Sequence, residues 1–151
     1  MTLEEKRALK ASEVEQILDS IKSTTEVDLR DRVLIALIFN LIRLSEALEM
    51  RVADVDIKRG RLFVPIRKNY FRTERQLAMH QCSEPLTNLL ASYLDRRGVD
   101  VDPNASLFPS VSVATANSMI RRRAKAAGVM VDANYHDIRK AARCLTTGGL
   151  P

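Results

Sequence analysis

The sequence has little of what secreted, metal-binding or membrane proteins need. Its two cysteines, Cys82 and Cys144, lie far apart and fit no metal or redox spacing, so we expect reduced thiols. The longest apolar run, residues 33–42, is too short to span a bilayer and is interrupted by Asn40. The first ten residues contain no apolar signal-peptide core. We therefore expect a cytoplasmic protein with no membrane partner.

Charge and composition set broad limits on function. The chain has 151 residues, of which 46% are apolar, and this is enough for one domain with a sizeable core. Lysine and arginine outnumber aspartate and glutamate by 24 to 19, which gives a net charge of +5. This mild excess permits a polyanionic partner such as DNA but does not demand one. No carboxylate cluster indicates a metal, and we expect no cofactor.

Apolar residues recur at helical spacing in most of the chain. The first helix is predicted to begin at a capping box of Ser12 and Glu15. The second is apolar nearly all round, which favours a central position in the core. The helices are predicted over residues 12–22, 29–42, 44–50, 83–97, 113–127 and 136–146.

The pattern changes to that of strands between the third and fourth helices. Residues 61–67 and 74–80 predict two antiparallel strands joined by a basic turn at 68–73. Pro65 favours an edge position for the first strand, because proline donates no ladder hydrogen bond. The predicted fold class is α+β, mostly helical with a small antiparallel sheet.

Two short segments carry a more specific signal. In the first, Arg43 is followed by an apolar residue, the pair Ser45 and Glu46, and a leucine at 48. In the second, His136 and Arg139 form an H-x-x-R pattern that opens a helix rich in small residues. In this order, with a basic hairpin and two helices between them, they resemble the motifs of the tyrosine recombinase, or phage integrase, catalytic domain. That family commonly has glycine two residues before the first arginine, where this sequence has a leucine.

The resemblance implies a chemistry for each motif residue. Members break and rejoin DNA by attacking a backbone phosphate with a tyrosine. Arg43 and Arg139 are then expected to grip the phosphate's non-bridging oxygens, because guanidinium forks match them. His136 is expected to hydrogen-bond the phosphate or to accept the nucleophile's proton. Glu46 is expected to hold Arg43 in place.

The hairpin and the fifth helix supply further candidates. The family places a catalytic lysine in a hairpin turn, and Lys68 lies at such a turn as the expected general acid, although Arg67 beside it is an alternative. The basic residues 121–123 are either a solvated face or phosphate contacts. The expected DNA contacts are Arg67, Arg72, Arg121 and Arg122.

The family's nucleophile has no counterpart in this sequence. After the H-x-x-R helix, members continue with a leucine-glycine-histidine motif and the attacking tyrosine. This sequence has no tyrosine after Tyr135, while Tyr70 lies in the hairpin turn and Tyr93 on an apolar helix face. We therefore expect residues 1–151 to form one truncated catalytic domain without the tyrosine segment and without the family's N-terminal DNA-clamping domain.

Such a chain is expected to bind double-stranded DNA, to be a monomer in isolation, and to be inactive alone. Other recombinase subunits are possible partners, since some relatives donate the tyrosine from a neighbour. Two alternatives stay open: a non-catalytic DNA-binding or regulatory remnant of an integrase, and a helical protein-interaction domain without DNA contact. Type IB topoisomerases share the same set of residues, but the short H-x-x-R form is more typical of integrases.

Overall fold

The computed structural model describes residues 7–66, 76–98 and 101–147. Helices surround a core built on α2, and a small antiparallel sheet lies between α3 and α4 in the chain, so the predicted α+β class is confirmed. The helices are α1 (Ala11–Ser20), α2 (Glu26–Phe39), α3 (Leu44–Leu48), α4 (Glu84–Arg97), α5 (Val113–Ala126) and α6 (Tyr135–Thr147). The strands are β1 (Val55–Asp56), β2 (Arg61–Pro65) and β3 (Leu77–Gln81), with a 3₁₀ turn at Val52–Asp54.

Helix α2 is the centre of the core, as its sequence predicted. Six consecutive residues, 33–38, are buried, because apolar side chains cover nearly the whole circumference of this helix. It packs against α1, α3, α4, α5 and α6. None of the described helices combines the length and apolarity that crossing a membrane would require.

The end of α2 sets the path of the chain into the first arginine motif. Leu41 has a φ of 69°, in the left-handed region. The N–H groups of Leu41 and Ile42 donate to the carbonyls of Ile38 (3.0 Å) and Leu37 (3.1 Å), which is a Schellman motif. A leucine in this conformation is strained, whereas glycine is not. Leu41 therefore occupies a backbone conformation that favours glycine, two residues before Arg43.

The sheet has one more strand than predicted, and Pro65 is not on an edge strand. The strand order is β1-β2-β3, so β2 is central. However, β1 pairs only with Arg61 and Leu62. Since the N–H of Ile66 points toward β3 and bonds the Gln76 carbonyl, the nitrogen of Pro65 points to the other side, beyond the reach of β1. Proline is accepted there because no described strand lies opposite it on that side to accept its missing hydrogen.

The start of α1 differs from its prediction as well. The predicted capping box of Ser12 and Glu15 is wrong, because the N–H of Lys10 donates to the Glu13 carboxylate (3.0 Å) two residues earlier. Both Glu13 oxygens also accept from the Arg7 guanidinium, at 2.8 Å each. This hydrogen-bonded pair lowers the pKa of Glu13 to about 2.

A buried carboxylate ties α5 to α2. Asp31 is 1% exposed, and its two oxygens accept separately from Arg30 and Arg123. Arg123 also binds Asp28 at 3.0 Å and so holds the pKa of that carboxyl below its usual range. The prediction that residues 121–123 form a solvated face is therefore wrong for Arg123, which links two helices through charge-assisted hydrogen bonds.

Candidate active site

Arg43 stands where the chain leaves the α2 turn and begins α3. It is the N-cap of α3, with extended φ and ψ of −68° and 141°, and its side chain is exposed. Its backbone N–H donates to Glu46 Oε1 at 3.2 Å. Leu44 and Ala47 anchor the opposite side of this short helix in the core. Glu46 thus holds the backbone of Arg43 at the start of α3.

His136 and Arg139 lie on the first turns of α6. The side-chain carbonyl of Asn134 accepts from the Asp137 N–H (3.1 Å), and the Asp137 carboxylate accepts from the Asn134 N–H (3.0 Å). This reciprocal capping box starts the helix. Ile138, between the two motif residues, is fully buried. With this face of α6 turned inward, His136 is exposed and Arg139 is partly buried.

The two arginines, distant in sequence, act on each other in the fold. Burial lowers the pKa of Arg139, and the positive charges of Arg143 and Arg43 lower it further, while Glu46 and Tyr135 act in the opposite direction. The Nε of Arg139 is buried, with no hydrogen-bond partner in the described part of the chain. Arg43, Glu46 and Arg139 therefore form one electrostatic cluster, which we call the arginine site.

The arginine site suits an anion that offers several oxygens. A buried donor without a partner is unfavourable, and neighbouring like charges add to its cost. Such an arrangement is typical of functional sites, where a ligand supplies the missing partner. Guanidinium groups bind phosphate through paired hydrogen bonds, so two of them can hold both non-bridging oxygens. In the described ranges, no three histidine, cysteine or acidic side chains come together as a metal ion would require.

A groove adjoins the arginine site between the α2–α3 turn and the sheet. Its volume is about 190 Å³, and Glu46 and His80 both line it, beside Leu41 and Ile66. Burial lowers the pKa of His80, which favours the neutral imidazole on this side of the site.

Of the remaining predicted site residues, only Arg121 and Arg122 fall within the described ranges, and neither hydrogen-bonds to this cluster. Lys68, Arg67 and Arg72 lie outside the described residues. Arg121 forms a solvent-exposed ion pair with Asp132 at 3.0 Å. The exposed Arg122 makes no hydrogen bond or ion pair with any described residue.

Tyr93 occupies the core, as its position on an apolar helix face predicted. It is 1% exposed, and its hydroxyl donates to the Leu107 carbonyl at 2.7 Å. Burial raises the pKa of Tyr93 to about 12. A buried, hydrogen-bonded phenol of this kind is a poor nucleophile. The predicted hairpin residue Tyr70 lies outside the described residues.

The groups that fix the start of α6 were not among the predicted site residues. The pattern Asn134-x-x-Asp137 is itself a capping signal and could have been found. Asn117 gave no such signal: it lies on α5, and its side-chain carbonyl accepts from the Tyr135 N–H at 3.0 Å. Contacts between helices of this kind appear only in the tertiary structure.

The fold is similar to that of solved recombinases. The crystal structure of XerA recombinase matches with a TM-score of 0.75 and 23% identity, over 96% of this chain and 51% of that one. XerH site-specific recombinase bound to difH substrate, in a pre-cleavage complex, matches with a TM-score of 0.68 and 22% identity, over 93% and 42%. The post-cleavage complex of XerH with palindromic difH substrate gives 0.65 and 23%, over 92% and 41%.

These matches establish a shared fold over part of longer proteins. The chain spans about half the length of XerA recombinase and less than half the length of XerH recombinase. No curated protein matches the chain in sequence. The model of the phage integrase family, however, matches residues 7–151, which is almost the whole chain. The chain therefore belongs to the phage integrase family, the family of the tyrosine recombinases.

Proposed function

We propose that this chain binds double-stranded DNA and grips the scissile phosphate while a strand is cut and rejoined in site-specific recombination. The observation that carries the proposal is the arginine site. Arg43 and Arg139, which are distant in sequence, lie within electrostatic reach of each other, and Arg139 keeps a buried donor unpaired within the described residues. The DNA-bound state of the similar XerH recombinase supports DNA as the partner.

In this proposal, the two guanidinium groups stabilise the charge that develops on the non-bridging oxygens. Such preorganised donors contribute roughly 10²- to 10³-fold in rate apiece. Glu46 keeps Arg43 at the helix start by accepting its N–H. Because Glu46 is also within electrostatic reach of Arg139, it limits the repulsion between the arginines when no phosphate is bound.

Proton transfers accompany the exchange of bonds at phosphorus. A tyrosine oxygen attacks, the bond from phosphorus to the 5′ oxygen breaks, and the leaving oxygen takes up a proton. We assign that proton to Lys68, with Arg67 as the alternative for the hairpin position. His136 accepts the proton of the attacking tyrosine or hydrogen-bonds the phosphate.

We do not assign the attack to a tyrosine of this sequence. Tyr93 is buried and bonded to a carbonyl, and Tyr135 packs beside His136 at the helix start. The proposal is that the tyrosine comes from outside these residues, for example from another recombinase subunit. Further DNA contacts are proposed for Arg67, Arg72, Arg121 and Arg122.

The affinity for DNA at several salt concentrations tests the clamp. Fluorescence anisotropy with a labelled duplex would compare the wild type with the Arg43→Ala/Arg139→Ala double variant. The variant should bind more weakly, and the slope of log affinity against log salt should become shallower by roughly one to two. The Lys22→Ala/Arg59→Ala variant is a matched control, because it loses the same charge at two exposed positions away from the site.

Equal losses in the two double variants would contradict the clamp and leave only general attraction by a basic protein. Unchanged DNA binding in the arginine double variant would favour a non-catalytic DNA-binding remnant. If the wild type has no salt-dependent affinity for DNA, the alternative of a helical protein-interaction domain without DNA contact is favoured. A nicked duplex that traps covalent intermediates provides a separate test, in which a protein–DNA adduct through Tyr70, Tyr93 or Tyr135 would overturn the assignment of the nucleophile.

A further inference from the structure

The ring of Tyr135 lies against the imidazole of His136. The two ring centroids are 3.9 Å apart, and the planes are tilted by 34°. His136 is exposed, and its side chain has no hydrogen bond or ion pair with the described residues. An exposed side chain without such partners would sample several rotamers. The ring contact with Tyr135 therefore restrains the imidazole.

Tyr135 is itself held firmly. Its backbone N–H donates to Asn117 on α5, at 3.0 Å, and its side chain is partly buried against the core. The capping box of Asn134 and Asp137 fixes the same turn. A ring anchored by the core, by a neighbouring helix and by a helix cap can serve as a rigid support.

The same side chain reaches the arginine site. Tyr135 and Arg139 are four residues apart on α6 and so share one face of the helix. Tyr135 thus lies on the same helix face as Arg139, with its ring against the imidazole of the other motif residue, His136.

We propose that Tyr135 is a positioning residue whose ring holds the His136 imidazole in the orientation that meets the phosphate gripped by Arg139. The inference rests on the proposed function for its ligand, but the ring contact exists without DNA. Aromatic pairs of this kind bias an orientation modestly. Loss of the ring should therefore weaken DNA binding roughly two- to tenfold, rather than abolish it.

NMR of the histidine rings tests the contact directly. The sequence contains only two histidines, so His136→Gln assigns both sets of ring signals and His80 serves as an internal reference. In the free wild-type protein, the His136 ring protons should be shifted upfield by the aromatic ring. In Tyr135→Phe they should stay there, whereas in Tyr135→Leu they should move toward the values of a free imidazole while the His80 signals stay in place.

DNA affinity, measured with the same labelled duplex, tests the consequence. Tyr135→Leu should lose the predicted two- to tenfold, and Tyr135→Phe should retain wild-type affinity, because the ring and not the hydroxyl supports the imidazole. Tyr135→Met fills a similar volume without a ring. Altered His80 signals would reveal that Tyr135→Leu perturbs the fold. In that case, Tyr135→Met takes its place in the test.

The proposal would be overturned by unchanged His136 signals in the leucine and methionine variants, or by displaced signals with wild-type affinity. A phenylalanine variant that behaves like the leucine variant would overturn it as well. Failure of the clamp is a separate outcome. If Arg43→Ala/Arg139→Ala binds DNA as its control does, the proposed function falls, while the His136 signals of the free protein still report on the ring contact.

Discussion

Replacing Arg139 with methionine is expected to stabilise the free protein and to weaken its hold on DNA. The partly buried guanidinium has an orphaned Nε within the described structure, and it lies near the charges of Arg43 and Arg143. Methionine keeps an unbranched apolar stem in the same space but has no charge to desolvate. The substitution therefore removes a group that is unfavourable in the free protein and that, in the proposed function, binds the phosphate.

The size of the effect follows from the environment of Arg139. An unsatisfied buried donor costs roughly 1–3 kcal/mol. Arg139 is only partly buried, and Glu46 offsets some of the repulsion, so we take the lower end, about 1 kcal/mol. For a domain of this size, that gain in the free energy of unfolding raises the Tm by roughly 2–4 °C.

Thermal unfolding with and without duplex DNA measures both parts of the prediction. At a DNA concentration of about 100 times Kd, bound ligand adds about 2.7 kcal/mol to the stability of the wild type. A tenfold weaker variant would gain only about 1.4 kcal/mol at the same concentration. Arg59→Met is the control: the same replacement at a position 67% exposed should change stability by less than about 0.5 kcal/mol.

The reasoning is refuted if Arg139→Met lowers the Tm of the free protein, since Arg139 would then be a structural residue with partners of its own. It is refuted equally if DNA raises the Tm of the variant as much as that of the wild type.

Three further predictions concern the fold. Arg123→Met should lower the free energy of unfolding, measured in urea, by about 3 kcal/mol, because the buried carboxylate of Asp31 loses a partner. The control Arg122→Met should change it by less than about 0.5 kcal/mol. Equal effects of the two substitutions would contradict the buried ion pair. Glu13→Gln should lower stability at pH 7 by less than about 1 kcal/mol. The pKa of Glu13 falls from 4.5 to about 2 on folding. The difference in the free energy of unfolding between the variant and the wild type should therefore be complete above about pH 4.5 and should vanish as the pH falls through 2. A difference that does not change with pH would argue against the Arg7–Glu13 pair. Leu41→Val should lower the free energy of unfolding by about 1–2 kcal/mol, because β-branched residues avoid positive φ. Leu41→Gly should be tolerated, because glycine adopts positive φ without strain. Similar effects of the two substitutions would refute the left-handed turn.

The helices could be predicted well because their signals are local. The apolar spacing of α4 and its flanking residues gave its bounds almost to the residue, with Ser83 as the N-cap and Gly98 at its end. Predictions that depended on competition between nearby groups were less accurate. Ser12 and Glu15 fit a capping box, but Glu13 binds both Lys10 and Arg7 and starts the helix earlier. The sequence pattern does not rank such alternatives.

The sequence by itself determined the order of the motifs, the helices that carry them and the α+β class, because hydrophobic spacing and motif residues are read along the chain. Only the tertiary structure decided which charged groups meet. It gave Arg123 a buried partner on α2 while leaving Arg122 exposed, and it brought Arg43 within electrostatic reach of Arg139. The physical reason is that Coulomb energy and desolvation depend on distance and burial in space, which separation along the chain does not specify.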